Sequence, residues 1–360
     1  MYVVIMAGGS GTRFWPRSRK DMPKQLLRIV GDSTMIQQTY DRIKDLTDPG
    51  KILIITGENL REPIQQQLPE VPNENIIAEP IGRNTAPCIA LAASIIKSRS
   101  SDPKETMIVL PSDHLVNPKD EFQMVLKAAV AYAIQTSMLV TLGIKPLYAE
   151  TGYGYIQLGD RDSAENKINI FKVKTFAEKP NTETAKRFIE SGDFYWNSGI
   201  FVWTIDRILT EFEKQMPDLY DYIPFLIEHA GTQQMDQAIE KVYGSVKSES
   251  IDYGIMENAK DVAVAESLFA WNDVGSWEAV YKLAAKDKNK NVILEGMPFF
   301  VDSNNNLFYS ESKKLIAAID IENIVCVETK DAILLCKKDK SQRVKNIVDR
   351  LKIKDMDSYL

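Results

Sequence analysis

The sequence predicts an α/β protein: a mostly parallel sheet covered on both faces by helices, then a small all-β, β-helix-like unit ending in a helix. Three observations predict this. Short apolar runs alternate with helically spaced stretches up to residue 143. The runs are near-continuously apolar, as strands buried on both faces are. Beyond residue 285 the texture changes to short apolar runs recurring at about eight to nine residues, separated by polar turns.

In order, Val3-Val4-Ile5 is too short for a self-sufficient helix and reads as a buried strand. Residues 51–55, 75–78, 106–110 and 138–142 read as further strands, with helices over 34–44, 60–67, 85–98 and 120–135. Ligands bind at the carboxyl ends of strands in such sheets, and a glycine-rich loop follows the first strand. The middle is less regular: a turn at 152–156, a strand at 168–177, a helix at 182–191, a strand at 194–203 and helices from 205 to 243. After the boundary at residue 285, apolar runs at 299–301, 307–309, 315–319, 324–327 and 333–336 form the β unit. Its last helix carries Val344, Ile347, Val348 and Leu351 on one face, a docking stripe. The expected domains are therefore 1–285 and 286–360.

Composition excludes several classes. With 360 residues, 44% hydrophobic and 26% charged, the chain is an ordinary globular protein. Its net charge of -6 argues against non-specific nucleic-acid binding, which needs a broad basic face. No apolar run is long enough to span a membrane, and the N-terminus does not read as a signal peptide. Cys88, Cys326 and Cys336 lack metal-type spacing and fit a reducing cytoplasm. Two histidines, His114 and His229, make a zinc site or a histidine-based triad improbable.

Gly8, Gly9 and Gly11 let the backbone turn sharply and present N–H groups to an anion, and Arg13, Arg17, Arg19, Lys20 and Lys24 follow closely. That combination suits bound phosphate. Walker A is absent, and Phe14 stands where the dinucleotide fingerprint needs its third glycine. Asp113 and Asp273 each follow an apolar strand; two acids plus phosphate oxygens would serve a magnesium–phosphate site, although a lone loop Asp is more often a turn residue. Glu178-Lys179-Pro180 suits a sugar hydroxyl and a phosphate, or is an exposed ion pair before a turn. Asn197 either meets a hydroxyl or satisfies backbone. In Gly82-Arg83-Asn84-Thr85-Ala86-Pro87, Asn84 or Thr85 caps a helix, with a second role in binding a base left open.

Together these strings resemble the bacterial mannose-1-phosphate guanylyltransferases, also called GDP-mannose pyrophosphorylases. They are Ala7–Pro16 with Pro23-Lys24-Gln25, Gly82–Pro87, Leu110–His114, Gly152–Ile156, Phe176–Pro180, Trp196–Phe201, Ser250–Gly254 and Trp271–Trp277, in order over the first 285 residues. The opening string alone indicates a sugar nucleotidyltransferase; the 82–87 and 271–277 strings narrow it to the mannose–guanosine branch.

The resemblance implies a Rossmann-like nucleotide-diphospho-sugar transferase fold and transfer of GMP from GTP to mannose 1-phosphate with Mg²⁺. By similarity, Gly8, Gly9, Gly11 and Thr12 cradle the triphosphate, Arg13 meets the leaving pyrophosphate and Lys24 bridges phosphates. Asp113 and Asp273 hold Mg²⁺, Lys179 grips the sugar phosphate, and Gly154, Glu178 and Asn197 meet mannose hydroxyls. The base falls near Ala7, Arg83, Asn84 and Ser112, while Arg17, Arg19 and Lys20 remain field or surface charge. The family is often dimeric, and the β unit with its helix is the expected interface. Many relatives carry a further isomerase domain whose histidines this sequence lacks, so transferase activity alone is expected. Two alternatives stay open: a related transferase for another base or hexose, and a non-catalytic sugar-nucleotide sensor. The retained Arg13, Lys24, Asp113, Lys179 and Asp273 weigh against the sensor.

Overall fold

The structure, a computed structural model, describes residues 1–9, 11–165, 167–312 and 314–360; Ser10 of the glycine loop lies outside these. Its strands are β1 (Tyr2–Met6), β2 (Ile52–Gly57), β3 (Ile76–Glu79), β4 (Thr106–Pro111), β5 (Leu115–Asn117), β6 (Leu139–Ile144), β7 (Tyr155–Glu165), β8 (Ile168–Ala177), β9 (Phe194–Thr204), β10 (Val262–Glu266) and β11 (Ala270–Asn272). Six more follow: β12 (Val292–Glu295), β13 (Pro298–Val301), β14 (Leu307–Ser310), β15 (Ile316–Ile319), β16 (Ile324–Glu328) and β17 (Ile333–Lys337).

Packing divides the chain into two compact units. The first holds residues 1–8, 40–112 and 116–271; the second holds 9–39, 113–115 and 272–360. The boundary expected at residue 285 lies inside the third segment of the second unit.

A nine-stranded sheet in the order β3-β2-β1-β4-β9-β6-β10-β8-β7 forms the first unit's centre. β3, β2, β1 and β4 run parallel, as do β6 and β10, so the sheet is mostly parallel among its early strands. β9 enters antiparallel between β4 and β6, and β8 and β7 close one edge antiparallel. The register Val4↔Val109 and Ile5↔Leu110 ends β1 and β4 together, so Ala7 and Ser112 leave the sheet as neighbours. The Ser112 N–H donates to Met6 O at 3.1 Å. Strand residues 3–5 and 52–55 are buried on both faces, which explains their lack of alternation. The helix Thr85–Arg99 is buried continuously from Ala86 to Ile96, a core helix rather than an amphipathic one.

In the second unit, β12, β14 and β16 stack parallel, β13 pairs parallel with β15, and β17 turns back antiparallel on β16. β12 is a strand the sequence reading lacks; its short run is flanked by Lys288, Asn289, Lys290 and the acid Glu295. Buried asparagines hold the coil. Asn291 Oδ1 accepts from the Asn306 N–H at 3.0 Å, and Asn306 Oδ1 accepts from the Ile324 N–H at 2.9 Å. Each amide thus replaces a lost ladder bond at a turn. The core joins Phe14, Trp15, Ile29 and Met35 to Trp277, Val292, Leu307, Tyr309 and Val325, so the segment after the glycine loop is built into the β unit. Phe14 meets Trp277 edge to face at 5.0 Å.

The terminal helix, Val344–Ile353, docks through Val344 and Val348, with Leu351 packed against the same core. Ile347 departs from the expected stripe: it is 36% exposed, on the flank of that face. Arg17, Arg19 and Lys20 are not loose surface charge either. Arg17 lies 3.9 Å from the Tyr309 ring centroid and donates to Arg28 O. Arg19 pairs with Asp331 at 2.6 Å and Lys20 with Asp357 at 3.1 Å, tying the loop to the later strands and the tail. No helix among the described residues is long and apolar enough to cross a membrane.

Candidate active site

In the second unit the glycine loop turns at Gly11, whose φ of 55° is left-handed and whose missing Cβ would collide with the backbone and Cβ of Lys24. Glycine here therefore lets Lys24 approach the loop. The Gln25 side chain donates to Gly9 O at 2.9 Å and Ser18 to Gly11 O at 2.8 Å, fixing the turn from the other side. Thr12 opens the short helical turn Thr12–Phe14.

Lys24 is buried, and its Nζ donates to Asp113 Oδ2 at 2.9 Å and to the main-chain O of Asp273 at 2.6 Å. An ammonium has three donors, so one remains for a ligand. Burial works against ionisation of Asp113, but the charge of Lys24, with a smaller contribution from His114, outweighs it and holds the carboxyl below its ordinary value. Asp273 is set by an unusual backbone: the next residue, Val274, is β-branched yet has φ of 46°. Its amide donates to Asn272 Oδ1 at 2.7 Å, while the Gly275 N–H donates to Asp273 Oδ1 at 3.1 Å.

These groups line one cavity of about 380 Å³ with Gly11, Thr12, Arg13 and His114. Arg13 is exposed and carries no partner among the described residues. Among those residues no three His, Cys, Asp or Glu side chains converge as a complete metal cage. The Asp113 and Asp273 side chains beside this cavity nevertheless fit a cation such as Mg²⁺, which needs only one or two carboxylates and keeps several waters. Lys345, Asp349 and Lys352 of the terminal helix also line this cavity. Sequence reading passed over them, since their only signal is a polar stripe beside the Val344/Val348 face.

In the first unit, Ala7 is buried, its N–H donating to Ile55 O at 2.7 Å and its carbonyl accepting from Thr56 Oγ1 at 3.1 Å. Gly8 follows; a Cβ there would sit 3.1 Å from Glu79 Oε2. Burial raises the Glu79 carboxyl to about 7, moderated by a 2.7 Å bond from Tyr243 OH. This buried acid at the end of β3 was missed by sequence reading, although it stands just before the Gly82–Pro87 string. Arg83 Nε donates to Tyr243 O at 2.9 Å, and Asn84 caps the following helix by accepting from the Thr85 N–H. Asn84 is exposed with φ of 69°; Ser112 is buried.

The remaining predicted residues of the first unit gather elsewhere on it. A Cβ on Gly154 would overlap the Glu178 carboxylate and come within 3.4 Å of Asn197 Cβ, so only glycine admits that acid. The Asn197 N–H donates to Gly154 O at 2.8 Å. Lys179, strained at φ of 46°, is 60% exposed and reaches Glu178 Oε2 at 3.2 Å. Asn197 Nδ2 donates to Asp252 Oδ1 at 2.7 Å. Burial, and next the charge of Glu178, raise Asp252 to about 6. Asp252 lies in the 250–254 string, where only its place in a matched motif signalled it.

A left-handed glycine turn lies against a buried lysine that is held by one carboxylate and one main-chain carbonyl. The family model for nucleotidyl transferases matches residues 2–290, and that for the MannoseP isomerase/GMP-like beta-helix domain matches residues 298–351. A mannose-1-phosphate guanylyltransferase of Escherichia coli is 39% identical over 352 residues, 97% of this chain and 75% of the relative. Another, of Klebsiella pneumoniae, is 38% identical over 361 residues, covering 99% and 75%. A crystal structure from Thermus thermophilus, described as a mannose-1-phosphate geranyltransferase, matches with a TM-score of 0.85 at 30% identity, over 98% of this chain and 99% of that one. The chain is thus a nucleotidyltransferase acting on sugar phosphates. It belongs to the mannose-1-phosphate guanylyltransferase family.

Proposed function

We propose that the chain transfers GMP from GTP to α-D-mannose 1-phosphate, releasing pyrophosphate and GDP-mannose. The observation that carries this reading is Lys24: a buried ammonium with one donor spare, held by the Asp113 carboxylate and the Asp273 main-chain carbonyl on the cavity of the glycine turn. The nucleophile is a phosphate oxygen of the sugar phosphate, ionised at neutral pH, so no general base is required. It attacks the α-phosphorus in line; the new P–O bond forms as the bond to the β-phosphate oxygen breaks. Positioning and charge neutralisation then carry the rate.

In this reading Gly8, Gly9, Gly11 and Thr12 cradle the triphosphate, Lys24 bridges phosphates near the reacting centre and Arg13 takes the leaving pyrophosphate. Ala7, Arg83, Asn84 and Ser112 receive the base. Lys179 grips the sugar phosphate, and Gly154, Glu178 and Asn197 meet the hexose hydroxyls. Asp113 and Asp273 would hold Mg²⁺, which when bound neutralises phosphate charge. We place the activity in the cytoplasm, consistent with three free cysteines. We also propose a homodimer, because Phe299, Leu315, Ile319 and Leu335 of the β unit are all more than half exposed; light scattering tests it.

The deciding experiment measures pyrophosphate release across four nucleoside triphosphates and several sugar 1-phosphates. Turnover is expected with GTP and mannose 1-phosphate. No turnover with that pair, alongside clear turnover with another, overturns the assignment.

A further inference from the structure

Asp252 has no role in the reaction as proposed, yet the first unit half-buries it. It sits in the short π-helical turn Asp252–Met256, with an amide as its hydrogen-bond partner. A carboxylate partly withdrawn from water with no cation held against it must replace the lost hydration with hydrogen bonds.

The orientation of Asn197 shows the use. Its Oδ1 accepts from the Gly199 N–H at 3.2 Å and from Thr141 Oγ1 at 3.2 Å. A backbone N–H can only donate, so the oxygen must face that side and Nδ2 must face Asp252. One Nδ2 hydrogen goes to Asp252 Oδ1. The other has no acceptor among the described residues, and Asn197 lies against Gly154, over which the Glu178 carboxylate sits.

We infer that Asp252 is a positioning residue for sugar recognition: it takes one hydrogen of the Asn197 amide and thereby locks the second as a donor to a hexose hydroxyl beside Glu178. This rests on the proposed function of Asn197 and Glu178 as hydroxyl contacts. The donor and acceptor so arranged suit a hydroxyl that gives its hydrogen to Glu178 and receives one from Asn197. Glu178, Lys179 and Asn197 are the groups that act on Asp252 electrostatically or by hydrogen bonding, Lys179 favouring its ionised form and Glu178 opposing it. Glu257 also feels Glu178.

The test compares wild type, Asp252→Asn and Asp252→Leu with whichever nucleotide and sugar 1-phosphate pair turns over. Asp252→Leu should raise KM for the sugar phosphate about tenfold, leaving KM for the nucleotide within twofold, since one directed hydrogen bond is lost. Asp252→Asn keeps an acceptor oxygen for Asn197 and should restore most of that loss. Equal shifts in both KM values, unchanged sugar-phosphate KM in Asp252→Leu, or no recovery of that KM in Asp252→Asn overturns the inference alone. Should Asp252→Leu not fold, Asp252→Ala takes its place, with the same split between the two KM values expected. No turnover by wild type with any pair overturns this and the proposed function together.

Discussion

The residues assigned to phosphate and those assigned to sugar solve opposite problems with different chemistry. Around Lys24 the protein buries a full positive charge and balances it with a carboxylate and a main-chain carbonyl within 3 Å. Around Asn197 it builds a directional network in which a neutral amide is fixed on both ends and the acids, Glu178 and Asp252, flank it. The first arrangement is tolerant of ligand shape and demanding of charge; the second is the reverse. A phosphate needs neutralising, whereas one hexose differs from another only in where its hydroxyls point. Polar groups left unpaired by the wrong epimer are what make such discrimination possible.

Substitutions should separate these two behaviours. Lys24→Met is expected to lower kcat by about 10²–10³-fold, the usual cost of removing one charge-stabilising donor from a transition state. Sugar-phosphate KM should change little by comparison; a change mainly in that KM would erase the division. Asp113→Asn should cost turnover in a way that raised magnesium partly restores, read from metal titrations of initial rate. Metal dependence identical to wild type would remove Asp113 from the metal site. Asn197→Ala should act mainly on sugar-phosphate KM, by about tenfold, with nucleotide KM unmoved.

Glu79→Gln probes stability rather than rate. The folded carboxyl titrates at about 7 against an ordinary 4.5, so between these values the folded chain binds more protons than the unfolded one. Stability should therefore fall as pH rises through that window and level off above it. Thermal unfolding of Glu79→Gln should lose this slope. The smallest effect is expected from Lys345→Ala with Lys352→Ala, exposed charges on the cavity wall: about a two- to fivefold rise in nucleotide KM, shrinking with added salt.

Much of this was legible in the sequence because the relevant signals are local. Apolar runs marked the parallel strands, Asn84 marked a helix start, and the glycines before Lys24 marked a tight turn at Gly11. What was not legible depends on partners distant in the chain. Arg17, Arg19 and Lys20 look like free charge until Tyr309, Asp331 and Asp357 are brought to them. Glu79 is an ordinary acid until burial raises it, and Asp252 until it meets Asn197. Ile347 fits a helical stripe, but only packing decides how wide the stripe is. Residues 9–39 read as part of the first domain because they adjoin it in sequence, whereas their apolar side chains are satisfied by residues after 274.

That last feature bears on how such a chain can be recombined. Phe14 and Trp15 share a core with Trp277, Tyr309 and Val344, so the segment carrying the glycine turn has been fitted to one particular β unit. A chimera joined near residue 285 would graft a foreign β unit onto a loop shaped for another, and its fault would surface as a disordered glycine turn. Exchange of the β unit can succeed only if residues 9–39 travel with it. The piece that is inherited whole is defined by its core and has two distant addresses in the sequence.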